Sequence, residues 1–94
     1  MHRKRSFSET GFPKTRVIVE GLGAMGSGIA RLLLDKRDLV SLVGAGAARP
    51  DKQGKDLGEL LGTGEATGVI VTSVQELPRI EADVVIQATT SFAV

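Results

Sequence analysis

From Val17 to Leu34 the chain reads V-I-V-E-G-L-G-A-M-G-S-G-I-A-R-L-L-L, with four glycines (Gly21, Gly23, Gly26 and Gly28) between a β-branched run and a leucine-rich one. Glycine inside a helix costs about 1 kcal/mol relative to alanine. A cluster of them at a strand-to-helix junction therefore calls for a physical reason. Residues 16–20 (R-V-I-V-E) have the character of a short buried parallel strand. From Ala24 the period changes, and Met25, Ile29, Leu32 and Leu33 fall at i, i+4, i+7 and i+8, one stripe of a helix predicted to end between Asp35 and Asp38.

The segment Gly21-Leu22-Gly23-Ala24-Met25-Gly26 is G-x-G-x-x-G, set directly after a strand and at the opening of a helix. Gly21 would permit the tight turn, Gly23 would let the backbone approach a pyrophosphate, and Gly26 would let the helix pack closely on the strand. The free N–H groups and the dipole at the helix start favour a bound dianion. The motif alone occurs by chance and is equally compatible with a packing turn that binds nothing. Strand, motif and amphipathic helix in the required order make it a dinucleotide fingerprint. A P-loop is excluded, because no Gly-Lys-Ser/Thr follows.

The remainder continues the pattern. Residues 39–43 (L-V-S-L-V) predict a second strand, 44–50 (G-A-G-A-A-R-P) a loop, and 56–61 (D-L-G-E-L-L) a short helical turn. Residues 69–72 predict a third strand, and Ser73 with Glu76 predicts a capping box whose helix Pro78 keeps short. Residues 83–88 (D-V-V-I-Q-A) predict a fourth strand. With right-handed crossovers this order gives an α/β fold, a Rossmann-like half domain with a parallel sheet in the order 3-2-1-4 and flanking helices. Residues 1–15 are predicted to form a basic, disordered tail, and 16–94 the NAD(P)-binding domain.

The second half of the fingerprint departs from the NAD pattern. An acid about 20 residues on, at the end of strand two, would hold the ribose 2′-OH. Here Gly44-Ala-Gly46-Ala-Ala-Arg49 offers none before Asp51. That acid would fall near Gly46 or Ala47, and neither is acidic. Arg49, with Lys52 nearby, suits a 2′-phosphate instead, although a solvated arginine reads the same way. NADP is therefore favoured over NAD. Ligands in open α/β sheets lie beyond the carboxyl ends of the strands, at the switch between strands one and four. Ala88, Thr89 and Thr90 would there face the bridging phosphates or the nicotinamide ribose.

Composition removes other classes. There is no cysteine and therefore no thiolate metal site, and no metal is predicted. Aromatics are 3 %, too few for base-stacking platforms. Five basic residues up to Arg16 face one acid, Glu9, whereas the rest holds 7 basic and 10 acidic residues, so no basic face continues beyond the tail. Nucleic acid is not an expected partner. No apolar run suits a membrane span or a signal peptide, and a cytoplasmic location is expected.

The glycine segment resembles the N-terminal domain of the dihydrodipicolinate reductase group, where an M-G pair also closes the phosphate loop. V43-G-A, P50-D-K-Q-G-K-D-L-G-E-L60 and A82-D-V-V-I-Q-A-T-T-S-F92 are similar to the diaminopentanoate dehydrogenase branch. The resemblance covers residues 16–92. It implies an NAD(P)-dependent oxidoreductase acting on an amine or imine, with catalytic groups in a substrate domain beyond this chain, so that no turnover is expected from it alone. The alternative is a free-standing nucleotide-binding or homo-oligomeric interaction module without catalysis. Under either reading the apolar fourth strand, with no Pro or Lys, predicts self-association through its edge.

Overall fold

The computed structural model describes residues 6–89. Its elements are β1 (Thr15–Glu20), α1 (Ala24–Asp35), β2 (Val40–Gly46), a 3-10 turn (Pro50–Lys52), α2 (Leu57–Leu61), a 3-10 segment (Val74–Arg79) and β3 (Val84–Gln87). Strands β2, β1 and β3 form a parallel sheet in that order. No helix among the described residues is long and apolar enough to cross a membrane.

The central strand β1 carries three consecutive buried residues, Val17, Ile18 and Val19, as a strand covered on both faces requires. Alternation sends Val19 and Ala45 to one face, where Leu22, Ala30, Leu57, Leu61, Val69 and Val71 close the main core. Ile18 faces the other way and packs with Leu77 of the 3-10 segment; Val43 joins it there because β2 carries one extra residue at that point, its register against β1 shifting between Val17 and Ile18. The sheet is thus the middle of three layers. At its lower end Arg16 ties β1 to the chain entering β3: its N–H donates to Asp83 Oδ2 at 2.8 Å and its Nη2 to Asp83 Oδ1 at 3.0 Å.

The expected strand at 69–72 is not a ladder strand, and the four-strand order 3-2-1-4 contracts to three. Its backbone groups are divided between two neighbours. Val71 N–H donates to Lys55 at 2.8 Å and Leu57 N–H to Val69 at 2.7 Å, while Thr72 N–H turns to Ala45 at 3.0 Å. What remains is an antiparallel bridge at Ile70 and a parallel one joining Thr72 to Gly46, which keeps the segment on the outer side of β2.

Three further expectations are corrected. Strand β2 does not stop at Val43 but runs through Gly44 and Gly46, which a sequence reading assigns to a loop. The glycines are there for space: a Cβ on Gly44 would lie 2.7 Å from Ile80 Cδ1, and one on Gly46 2.7 Å from Leu77 Cδ1. The Ser73 side chain makes no capping bond, and the segment behind it is 3-10 with Pro78 inside. On α1 the buried residues are Gly26 and Ala30, with Ile29, Leu33 and Leu34 alongside, whereas Met25 and Leu32 are 59 % and 57 % exposed. Of the predicted stripe Ile29 and Leu33 pack against the core, and the small residues that bring the helix close to the sheet turn Met25 and Leu32 aside.

Within the stretch read as a tail, residues 6–14 double back, with Ser8 N–H on the Phe12 carbonyl at 2.8 Å and Phe7 bridged to Pro13. After β2, Asp56 organises the chain. It caps α2 by accepting from Gly58 N–H at 2.7 Å, and it also holds the N–H groups of Thr67 and Gly68 at 2.9 and 2.8 Å.

Candidate functional site

Strand β1 ends in the middle of the sheet, and the chain must turn there at once. Gly21 does so at φ +102°, a conformation that L side chains rarely adopt. Its N–H donates to the Gly46 carbonyl at 2.8 Å, and a Cβ on it would sit 3.0 Å from the backbone of Ala88 and Thr89. Gly21 is therefore held between the ends of β2 and β3. A Cβ on Gly26 would run into the Gly21 carbonyl and lie 3.3 Å from Ala88 Cβ. This glycine sets the distance between helix and sheet.

Gly23 differs from both. It is the N-cap of α1, in extended conformation, and a Cβ on it would meet nothing within 4 Å. No side chain caps the helix and no acid stands in its first turn. The first N–H at this end with a backbone acceptor is that of Ser27, on Gly23 at 2.9 Å. The N–H groups of Gly23, Ala24 and Met25 make no hydrogen bond to other described residues. An open cradle and unpaired donors at a helix start fit an anion.

The cradle opens into a cavity of about 270 Å³ at the carboxyl ends of the strands. Of the residues expected from sequence, Gly21, Leu22, Gly23, Arg49, Ala88 and Thr89 line it. Ala24, Met25 and Gly26 form the adjoining first turn of α1. Gly46 is not among the lining residues; the space over its α-carbon is filled by Leu77. Thr90 lies outside the described residues. Lys52, read from sequence beside Arg49, lines it too, and the structure adds Ala47, Ala48 and Val74.

The charges at the rim are organised. Arg49 Nε and Nη2 grip the two carboxylate oxygens of Asp51, each at 3.1 Å, with the arginine side chain 72 % exposed. Lys52 Nζ reaches inward and donates to the Leu22 carbonyl at 2.8 Å. The Ser27 hydroxyl donates to that same oxygen at 3.1 Å. Sequence reading had no means of finding these two bonds, one of which joins residues 30 apart. Arg16 and Asp56, whose titration the fold displaces, hold the scaffold and are not among the residues lining this cavity. The hydrogen bond to Asp83 raises the Arg16 guanidinium, and the Thr67 N–H leads the donors that lower the Asp56 carboxyl.

A larger hollow of about 610 Å³ lies by the start of β2, lined by Arg31, Asp35, Arg37 and Glu65 among others. It adjoins the closing turn of α1, where the helix dipole disfavours anions, and its charges are mixed. The smaller cavity is the better site for a phosphate-bearing ligand.

Residues 15–94 match the family described as dihydrodipicolinate reductase, N-terminus. The chain belongs to that family. Among curated relatives, it is 41 % identical over 81 residues to a 4-hydroxy-tetrahydrodipicolinate reductase of Desulfitobacterium hafniense, covering 81 % of this chain. It is 31 % identical to a homoserine dehydrogenase of Methanocaldococcus jannaschii, covering 80 % of this chain. The chain spans 28 % of the length of each of these relatives. Among solved structures, an amine dehydrogenase from Mycobacterium smegmatis superposes with a TM-score of 0.67 at 44 % identity, covering 76 % of this chain and 21 % of that one. The family match and these relatives place the fold among the nucleotide-binding domains of dehydrogenases and reductases.

Proposed function

We propose that this chain is the nicotinamide-dinucleotide-binding domain of an oxidoreductase acting on an amine or imine, with NADP favoured over NAD. The observation that carries the reading is the open cradle at Gly23, backed by unpaired helix N–H groups and sharing one cavity with Arg49 and Thr89. The N–H groups of Gly23, Ala24 and Met25 would hold the pyrophosphate, and Arg49 the 2′-phosphate. Ala88 and Thr89 would support the nicotinamide ribose. The bound nicotinamide supplies a hydride acceptor or donor; the chain's own residues bind and orient it. Likeness to the amine dehydrogenase, alongside the reductase family, supports an amine or imine as the substrate class.

Calorimetric titration of the purified chain with NADPH and with NADH tests this. Tighter binding of NADPH, reduced about tenfold by Arg49→Ala, is the expected result, the size set by loss of one charge-assisted contact. Equal or tighter binding of NADH would overturn the preference for NADP. Absence of binding by either would overturn the reading of the chain as a competent cofactor domain.

The edge of β3 supports a second proposal, self-association. Among the described residues β3 pairs with β1 alone, and Val84 and Val85 on it are exposed. Sedimentation equilibrium should give a dimer or larger species; a monomer at high concentration would overturn this.

A further inference from the structure

Lys52 ends the 3-10 turn that follows β2, yet its ammonium is bonded not to an acid but to a carbonyl of the glycine loop, Leu22 O at 2.8 Å. The oxygen has two lone pairs, and Ser27 Oγ, in the first turn of α1, donates to it as well at 3.1 Å. Two donors from separate segments thus fix one peptide group, the Leu22–Gly23 peptide.

That peptide would otherwise be held by a side chain on its Leu22 side alone. Its Leu22 end is anchored by a buried side chain, but its Gly23 end has no Cβ and open space where one would be, so no side chain there restricts its rotation. In a trans peptide the carbonyl and the following N–H point in opposite directions. Holding the Leu22 carbonyl therefore also sets the direction of the Gly23 N–H, the donor at the head of the cradle. The turn that carries Lys52 is itself braced: Lys52 N–H donates to Arg49 at 3.1 Å, and Gln53 Nε2 to the Ala47 carbonyl at 2.9 Å. An ammonium has three N–H bonds, of which the Leu22 carbonyl takes one, and Lys52 lines the same cavity as Gly23.

We propose that Lys52 is a positioning residue for the pyrophosphate: through the Leu22 carbonyl it orients the Gly23 N–H, and its remaining donors place a positive charge beside the cradle. The inference rests on the dinucleotide reading above and assigns Lys52 to the phosphates shared by NADH and NADPH, leaving the 2′-phosphate to Arg49. A lysine that merely stapled two loops would contribute to stability and leave no such pattern in binding.

The test uses the purified chain with Lys52→Met, which keeps the stem and removes the charge, and with Lys52→Arg. Titrations with NADH and NADPH should both weaken by about tenfold in Lys52→Met, with their ratio unchanged. The deficit should shrink as salt is raised towards 1 M, because added ions screen the charge. Lys52→Arg should recover binding to within about threefold, and the melting temperature of both variants should stay within about 3 °C of the parent, as for a surface change of a few tenths of a kcal/mol. Selective loss of NADPH would assign Lys52 to the 2′-phosphate and overturn the proposal. Unchanged binding would overturn it, as would a loss that accompanies a large fall in melting temperature without rescue by arginine. If the unsubstituted chain binds neither dinucleotide, the dinucleotide reading itself fails; normal binding by both the parent and Lys52→Met removes only the role of Lys52.

Discussion

Gly26 and Gly28 stand two residues apart on the same helix, and the structure predicts opposite outcomes for the same substitution. A methyl at Gly26 would be driven into the Gly21 carbonyl oxygen and would lie 2.7 Å from its carbon, where ordinary contact begins at 3.4 Å. Both atoms are backbone and cannot rotate away. The helix must retreat by at least about 0.7 Å on the carbonyl carbon alone, and further for the oxygen. Overpacking of this kind costs about 1–3 kcal/mol, and backbone obstruction belongs at the upper end. A helix-favouring alanine returns less than about 1 kcal/mol of that. For a domain of this size each kcal/mol moves the melting temperature by about 4–8 °C. Gly26→Ala should therefore lower it by roughly 8–20 °C. At Gly28 an added Cβ meets nothing within 4 Å, and the residue lies inside α1 with no unusual backbone angle. Gly28→Ala should raise the melting temperature by about 2–8 °C, through helix propensity and the unfolded chain. Thermal unfolding followed by circular dichroism measures both. A neutral Gly26→Ala would refute the account of this glycine as the helix–sheet spacer.

Gly23→Ala supplies the complementary case. Its methyl enters open space, so melting should change by only a few degrees. The dinucleotide affinity should fall by about a hundredfold, roughly 2.7 kcal/mol, because the cradle is filled; retained affinity would show that no phosphate lies there. The Asp56 carboxyl titrates below its ordinary range because Thr67, Gly58 and Gly68 N–H groups bond its ionised form. A depressed folded value means that its stabilisation is fully present above about pH 4 and is lost as pH falls through that lower value. Asp56→Asn should bring this loss to neutral pH. Hydrogen exchange at Thr67 and Gly68 should quicken in that variant, and unchanged exchange would contradict the clasp.

The stretch from β1 through the glycine loop to α1 was legible because each signal in it is local: a β-branched run, a motif with fixed spacing, a helical period. Even there the helix face is legible only in part, through Ile29 and Leu33. Met25 and Leu32 are the larger residues, but the close approach required at Gly26 sets the rotation of the helix, and Ala30 follows it into the core. Gly44 and Gly46 were assigned to a loop because glycine weakens strands. They are strand residues because Ile80 and Leu77, more than thirty positions away, occupy the space over them. Val69 and Val71 are buried as a strand pattern predicts, but pairing divided between the 54–57 backbone and β2 leaves no continuous ladder. At the site the motif glycines, Arg49 and the end of β3 were readable by analogy with a known turn. The bond from Lys52 to the Leu22 carbonyl follows only from the way the chain returns.

The cavity lining comes from four stretches of chain, around Gly21, Ala47, Val74 and Ala88. Gly21 meets Ala88 across nearly the whole length of the domain. Fixing a residue's backbone costs about 1–2 kcal/mol of conformational entropy. Here that cost falls on folding, since the turn at Gly21 is clasped between two strand ends by the chain's own contacts. A ligand seated there would have few degrees of freedom left to freeze in that turn, and its contacts would appear more fully as affinity. The same dependence means that the glycine motif cut out as a peptide would lose the site, because its walls belong to distant parts of the chain.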